Sequence, residues 1–263
     1  QPAPARQKPL EGSCTLTAQT QISYEEPLAP LADYFCQYLG VRKGNPGMSS
    51  DNAVVLSTDP SMGAEAFRLT ILPQRIEITG GTCGGVFNGI QELFRMLPPE
   101  IYAGQCPLPV TLPCMQAEDA PRYAYRGMML DVARTWIGKE AVQRYIDLLA
   151  YHNINKLHLH LADDEGWRIE IKSHPELTEI GGFRGGDSPV RPVYGKWNEK
   201  YGGYFTQEEM RSLIAYAAVR NIEIIPEIDL PGHSRNIASV HPEIRCNYPP
   251  DTVSTNGYDY RSA

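Results

Sequence analysis

Polar side chains suited to acid–base chemistry or to sugar binding follow three apolar segments of this chain. In chain order they are Asp131 and Arg134, Asp163 and Asp164, and Asp229 and His233. An imidazole titrates near neutral pH, a carboxylate beside it fixes its tautomer, and a guanidinium presents a planar fork of donors. The three pairs therefore predict a single polar site, provided that the fold brings the ends of the three segments together.

The segments before these pairs have strand patterns, and helix patterns separate them. The strands are predicted over 126–132, 156–161 and 223–228, with helices over 140–154 and 206–222. This alternation predicts a parallel sheet, either doubly wound or a β/α barrel. Active sites of barrels lie at the C-terminal ends of the strands, and all three strands have their polar groups there. We therefore expect an α/β chain containing about the first three strands of a (β/α)8 TIM barrel.

Residues two apart in a strand share a face, so His158 and His160 point away from the intervening leucines. Glu227 and Asp229 share a face of the third strand in the same way. We expect the leucines to pack under the helices and the polar rows to fill the barrel interior. Asp131, His160, Glu227 and Asp229 are thus predicted to support the site.

The chain before this region has a different organisation. Residues 1–12 are rich in proline and polar residues and are predicted to be flexible, and residues 13–121 to form a small α+β domain. In that domain "CTLTAQTQISY" is typical of a strand, "LAPLADYFCQYLG" of a helix ending at glycine, and "NAVVLS", "FRLTIL" and "RIEITG" of short strands. A further helix includes Val86, Ile90, Leu93 and Leu97 on one face. The incomplete barrel is assigned to 122–263.

Composition excludes several function classes. The net charge of −7 argues against a nucleic-acid or anionic-membrane partner, and no apolar run reaches the length of a membrane span. The six cysteines form no CxxC pair, whereas Cys106 and Cys114 flank a proline-containing loop and are candidates for a disulfide. The processed character of the first residues makes export an expectation, to the periplasm, the cell surface or the medium.

Two readings of the second segment, "KLHLHLADDEGWRIEI", stay open at this point. His158 and His160 resemble the paired ligands of metal-dependent barrel hydrolases, although packed barrel filling is the more common role of such a pair. Asp163 is predicted to point into the pocket while Asp164 caps a turn. Trp167 is predicted to belong to the core rather than to a sugar platform.

The third segment, "PEIDLPGHS", contains a turn at Pro231 and Gly232 that returns His233 over the end of its strand. His233 is then expected beside Asp163, where the carboxylate stabilises the imidazolium and the couple tunes the pKa of a third acid. A purely structural Asp–His pair is the alternative. Arg134 offers donors that match vicinal sugar hydroxyls.

The motifs "YRGMMLDVARTW", "NKLHLHLADDEGWRIEI" and "IEIIPEIDLPGHS", in this order, resemble the first three strand segments of the β-N-acetylhexosaminidases of glycoside hydrolase family 20. "GGVFNGIQELFRMLP" is similar to the helix of the small domain that precedes that barrel. The resemblance extends from Ser13 to about 247. It implies retaining hydrolysis of terminal β-linked N-acetylglucosamine or N-acetylgalactosamine, with no metal or cofactor and with the substrate's acetamido oxygen as nucleophile.

By the same resemblance, Arg134 would hold the ring hydroxyls of the terminal sugar, and Asp163 with His233 would assist an acid/base glutamate. That glutamate and its partner aspartate lie, in the family, in a stretch resembling H-x-G-G-D-E, which does not occur in these 263 residues. A whole barrel needs about 250 residues. We therefore expect a fragment that is inactive alone and needs the rest of the barrel. A carbohydrate-binding fragment without catalysis is the non-enzymatic alternative, and the oligomeric state is not predicted.

Overall fold

The computed structural model describes residues 4–47, 51–104, 108–192, 195 and 198–244. The chain divides into two compact units. The first consists of residues 1–126 with 150–153 and 219–221, and the second of residues 127–149, 154–218 and 222–263. In the part of the chain that is described, no helix combines the length and apolar character needed to cross a membrane.

The first unit is built on a seven-stranded mixed sheet with the order β1-β7-β5-β6-β4-β2-β3. Its strands are β1 (Arg6–Leu16), β2 (Gln21–Tyr24), β3 (Arg42–Lys43), β4 (Ala53–Thr58), β5 (Phe67–Leu72), β6 (Arg75–Gly80) and β7 (Val110–Asp119). Its helices are α1 (Ala29–Leu39) and α2 (Cys83–Arg95), with 3₁₀ turns at Glu26–Leu28 and Pro99–Ala103.

Both helices form where their sequences predict them. Gly40 adopts the left-handed conformation (φ 68°) that ends α1, and the Thr82 hydroxyl accepts the backbone N–H of Gly84 at the start of α2. The predicted apolar face of α2 is confirmed, because Val86, Ile90 and Leu93 are fully buried. Their burial, together with that of alternate residues of β5 and β6, makes the core of this unit.

Three expectations for this unit are wrong. Residues 6–12, expected to be flexible, belong to β1, which pairs antiparallel with β7. Backbone pairing at a sheet edge needs no apolar pattern, and a bulge with Gly12 at φ 97° accommodates the irregular register. The stretch read as one strand from 14 to 24 is two strands separated by a turn. The proline-containing loop predicted before Cys114 is strand β7 from Val110 onward.

The three short predicted strands do not all run antiparallel to their neighbours. β5 and β6 form an antiparallel hairpin, but β4 pairs with β6 and runs parallel to it. The predicted disulfide involves Cys106, which lies outside the described residues. Cys14 and Cys114 are both buried with free thiols.

The second unit contains the predicted parallel strands. Its strands are β8 (Gly127–Asp131), β9 (Lys156–Asp163), β10 (Gly166–Trp167), β11 (Phe183–Arg184), β12 (Tyr201–Gly202) and β13 (Glu223–Ile228). Its helices are α3 (Lys139–Tyr151, whose last two residues group with the first unit), α4 (Glu176–Glu179), α5 (Gln207–Val219, ending in the first unit) and α6 (Arg235–Val240), with a 3₁₀ turn at Pro242–Ile244.

β9 is the central strand, with β8 and β13 parallel on either side. The leucines at 157, 159 and 161 are buried, as the alternation predicts. α5 begins with the capping box of Thr206 and Glu209, in which each residue's side chain accepts the other's backbone N–H, at 2.9 and 3.1 Å. This order of strand, helix, strand, insertion, helix and strand is that of a partial β/α barrel.

We predict that Gly89→Ala destabilises the first unit. A Cβ at Gly89 would lie 2.6 Å from Cγ2 of the buried Ile78, so α2 would have to move away from the sheet. Overpacking of this kind costs about 1–3 kcal/mol, more than the roughly 1 kcal/mol that alanine gains over glycine in a helix.

Chemical denaturation measures the effect. Gly63→Ala is the matched control, because its Cβ would meet Ala66 at an ordinary 3.7 Å. Equal or greater stability of Gly89→Ala would contradict the close packing of α2 on the sheet.

Candidate active site

The carboxylate of Asp163 joins the three parallel strands at one point. Asp163 is the last residue of β9 and only 2% exposed. Its Oδ2 lies 2.7 Å from Nη2 of Arg134 and 2.8 Å from Nε2 of His160, and its Oδ1 lies 3.4 Å from Nδ1 of His233. The structure therefore brings together Arg134, Asp163 and His233, which the sequence predicts to share one site.

Asp131 holds the Arg134 side chain in this position. Its Oδ1 accepts the backbone N–H groups of Ala133 and Arg134 at 3.0 and 2.9 Å, and its Oδ2 accepts Nη1 of Arg134 at 2.7 Å. A guanidinium between two carboxylates is fixed in plane and direction. Asp131 thus holds both the turn after β8 and the Arg134 cation, and its supporting role stays a prediction.

Two buried arginines, which the sequence patterns do not identify as site residues, hold the backbone of residues 132–134. Arg168 is fully buried and donates from Nη2 to the carbonyl of Ala133 at 2.7 Å and from Nε to that of Val132 at 3.0 Å. Arg184 donates to the carbonyl of Arg134 and is paired with the buried Glu165. Burial lowers the pKa of Arg168 to about 10, so it remains protonated at neutral pH.

For one of these arginines, Arg168, the sequence does contain a signal. In "GWRIEI" the arginine interrupts an otherwise apolar stretch, but a single charged residue there is equally typical of a solvent-facing position. Its five donors match backbone carbonyls from distant loops, including Gly182 and Gly203, and no local pattern identifies such partners.

His233 reaches Asp163 because of the turn that precedes it. His233 itself has φ 51°, a left-handed conformation that costs a non-glycine residue about 1 kcal/mol or more and that is concentrated at functional sites. Its side chain is 49% exposed, so the ring contacts the buried carboxylate on one side and solvent on the other. This is the arrangement expected of a couple that acts on a group arriving from solvent.

His160 and Glu227 extend the cluster below Asp163. They are register partners on β9 and β13, and Nδ1 of His160 lies 3.1 Å from Oε2 of Glu227. The same carboxylate oxygen is in contact with Nε2 of His158. The structure thus places His160 next to Asp163 and Glu227 next to His160, whereas Asp229, beyond the end of β13, joins none of these contacts among the described residues.

The pKa values in the cluster are shifted by these contacts. The hydrogen bond to Asp163 raises the pKa of His160, burial lowers it, and Glu227 raises it again, with a net rise above the ordinary 6.5. Burial raises the pKa of Asp163, but the hydrogen bond from His160 and the charge of Arg134 help to bring it below the ordinary 3.8. Asp163 is therefore a carboxylate throughout the neutral range.

The remaining expectations concern Asp164, Trp167 and metal binding. Asp164 accepts the backbone N–H of Arg235 at 3.0 Å, so it caps the start of α6. Trp167 is 6% exposed and packs with Ala162 and Leu177, which places it in the core. Among the described residues, the groups able to gather around a metal include neither His158 nor His160. The geometry gives the metallohydrolase alternative no support.

We predict that His160 titrates above pH 6.5 and that Asp163→Asn lowers its pKa, because the substitution removes the carboxylate charge. NMR titration of the imidazole resonances measures both values. Unchanged titration in Asp163→Asn would show that this hydrogen bond does not control His160.

The stability of the folded state depends on pH through the same two groups, His160 and Asp163. The contribution of His160 is complete below pH 6.5 and is lost as the pH rises through its raised pKa, whereas that of Asp163 is lost only as the pH falls through its lowered pKa. His160→Gln should therefore cost about 2 kcal/mol at pH 5.5 and less at pH 9. His152→Gln is the control in the same urea unfolding series.

In comparisons with known proteins, both parts of the chain match domains of the same family. Residues 123–262 match glycosyl hydrolase family 20, catalytic domain, and residues 1–120 match domain 2 of the same family. A beta-hexosaminidase of Vibrio furnissii is 40% identical over 244 residues, which are 92% of this chain and 39% of that protein. An N,N'-diacetylchitobiase of Vibrio harveyi is 38% identical over 65% of this chain and 19% of its own length.

Solved structures agree. The crystal structure of a GH20 exo-β-N-acetylglucosaminidase of Vibrio harveyi, in complex with N-acetylglucosamine, has a TM-score of 0.81 and 35% identity over 94% of this chain and 38% of that one. A Streptomyces plicatus N-acetyl-β-hexosaminidase has a TM-score of 0.79 over 92% of this chain and 48% of its own. The chain thus spans less than half the length of these relatives. With both units matched in order, the chain belongs to glycoside hydrolase family 20.

Proposed function

We propose that this chain supplies the sugar-binding part of the active site of a retaining, substrate-assisted exo-β-N-acetylhexosaminidase. The substrates would be glycans or chitooligosaccharides that end in β-linked N-acetylglucosamine or N-acetylgalactosamine. The observation that carries the proposal is the contact of one buried carboxylate, that of Asp163, with Arg134, His160 and His233. Membership of the family supports the same reaction class.

Arg134 is proposed to bind hydroxyls of the terminal sugar ring. Its guanidinium is oriented by carboxylates on the ends of two neighbouring strands and is about one-third exposed. A fixed planar fork fits two adjacent hydroxyls better than a flexible ammonium does, and it pays little entropy on binding. The terminal ring would therefore sit above the ends of β8 and β9.

Asp163 and His233 are proposed to act together on the acid/base glutamate of the complete site. Oδ1 of Asp163 lies 3.4 Å from Nδ1 of His233, so this carboxylate can determine which ring nitrogen carries the proton. A proton-donating imidazole at the edge of the site would stabilise the glutamate's carboxylate after it has given up its proton. These are positioning roles, since neither group bonds to the sugar.

The proposed hydrolysis uses groups of the protein and the substrate and needs no metal or cofactor. The acetamido oxygen of the substrate bonds to the anomeric carbon as the glycosidic bond breaks, and the glutamic acid gives its proton to the leaving oxygen. Water, deprotonated by the same glutamate, then attacks the anomeric carbon and expels the acetamido oxygen. Two inversions at one carbon retain its configuration.

The predicted partners do not include nucleic acid or a membrane surface. Clustered basic residues are required for both, and the net charge of −7 is unfavourable for either. Export of the protein stays a prediction.

We predict that Arg134→Lys lowers kcat/KM at least tenfold in a protein that contains these residues within a complete barrel. The substitution keeps the charge but removes the fork, and hydrogen bonds from a charged donor contribute about 1.5–3 kcal/mol each. Release of 4-nitrophenol from 4-nitrophenyl N-acetyl-β-D-glucosaminide measures the effect. Arg144→Lys, at an exposed position of α3, is the matched control.

The same assay tests the incomplete site. The 263 residues alone should release no 4-nitrophenol, whereas the complete barrel should. If the 263 residues hydrolyse the substrate, or if Arg134→Lys and Arg144→Lys behave alike, the proposed assignment of roles is wrong. Binding of N-acetylglucosamine by a complete barrel that never hydrolyses the substrate would favour the non-catalytic alternative.

A further inference from the structure

A second group of histidine and carboxylate side chains lies apart from the Asp163 cluster. Nδ1 of His174 is 3.2 Å from Oε1 of Glu176, and Nε2 of His241 is 3.1 Å from the same oxygen. One ligand atom from each of the three residues lies within 4.8 Å of the others. We propose that His174, Glu176 and His241 form a binding site for a divalent transition metal of the zinc class.

The distances fit such an ion. Zinc binds imidazole nitrogen and carboxylate oxygen at about 2.0–2.2 Å, which places neighbouring donors of a tetrahedral site about 3.3 Å apart. The separations of 3.2 and 3.1 Å from Oε1 of Glu176 are close to this value. Two imidazoles and one carboxylate leave a fourth position for water or another ligand, and borderline ligands of this kind select zinc over magnesium or calcium.

The other ring nitrogen of His241 has the partner that a metal-binding histidine usually has. Its Nδ1 lies 2.9 Å from Oε1 of Glu243, so a proton on Nδ1 leaves Nε2 as the acceptor that faces Glu176. A carboxylate in this position orients the ring and increases the basicity of the ligating nitrogen. Glu243 is therefore a positioning residue of the proposed site rather than a ligand.

The protein core holds the two halves of the site together. Glu176 begins α4, and the adjacent Leu177 packs in the cluster that contains Trp167. His241 directly follows α6, whose Ile237 packs against the same cluster. The ligands are partly exposed, with the His174 side chain 59% and the His241 side chain 24% accessible, so an ion can enter from solvent without unfolding.

Electrostatics separate this group from the other one that has metal-ligand geometry. Asp163, Asp164 and His233 also lie within 4.8 Å of one another, but Arg134 is 2.7 Å from Asp163. A cation there would face the guanidinium. Within the described ranges, the side-chain partners of His174, Glu176 and His241 include no cation other than the histidines themselves, and those lose their protons on binding.

A bound ion would connect two segments that are distant in sequence. His174 and Glu176 belong to the insertion between β9 and α5, and His241 follows the helix that comes directly after His233. An ion would therefore fasten α6 to α4 and would restrict the loop that positions His233. The proposed metal is structural, and its binding does not depend on the function proposed above.

Isothermal titration of the untagged, EDTA-treated protein with zinc chloride tests the site. We expect one equivalent to bind at pH 7.5, with weaker binding at pH 5.5 because the imidazoles are then protonated. His174→Asn and His241→Asn should each weaken binding at least tenfold, and Glu243→Gln roughly 10- to 100-fold. His233→Asn, in the other group, should bind zinc like the wild type.

Two outcomes of the titration would contradict the proposed zinc site. Absence of stoichiometric binding by the wild type, or binding that is lost in His233→Asn and kept in His241→Asn, would overturn the proposal. The exposed ring of His174 makes its substitution compatible with folding, and circular dichroism of each variant in EDTA verifies that folding. A rise in melting temperature with zinc in the wild type but not in His174→Asn would show that the ion fastens the fold.

Discussion

The buried negative charge of Asp163 is the constraint on which the site depends. Removing a carboxylate from water costs several kcal/mol, and the cost is offset only if cations and donors converge on it with good geometry. Here they are Arg134 from the turn after β8, His160 from within β9 and His233 from the loop after β13. The three parallel segments are therefore coupled through one side chain, and displacement of any of them leaves a buried charge without its partner.

The backbone next to this carboxylate is held by a part of the chain that lies outside the repeating strand and helix units. The insertion between β9 and α5 contributes Arg168 and Arg184, whose guanidiniums bind the backbone carbonyls of residues 132–134. They position the backbone of Arg134, while Asp131 positions its side chain. The insertion thus serves as a scaffold for the first strand end. The proposed metal site would extend that scaffold to the loop that precedes α6.

Local patterns in the sequence predict much of this site, because its geometry follows from alternation and turns. The period of two on β9 separates the leucines from the histidines, and the Pro231–Gly232 turn returns His233 to the strand end. The interactions that escaped prediction are non-local. Arg168 donates hydrogen bonds to carbonyls that are distant in the chain. β1 is stabilised by backbone pairing with β7, and the proline-rich, polar sequence of β1 gives no sign of that pairing. The parallel pairing of β4 with β6 is likewise a property of the whole sheet.

The central claim is that Arg134, held beside Asp163, binds the terminal amino sugar. A crystal structure of a complete barrel containing these residues, with N-acetylglucosamine bound, measures this directly. The account predicts ring hydroxyls at about 3 Å from the Arg134 guanidinium, with the contacts of Asp163 to Arg134 and His233 preserved. A sugar bound on another surface, or bound at the strand ends without contact to Arg134, would contradict it.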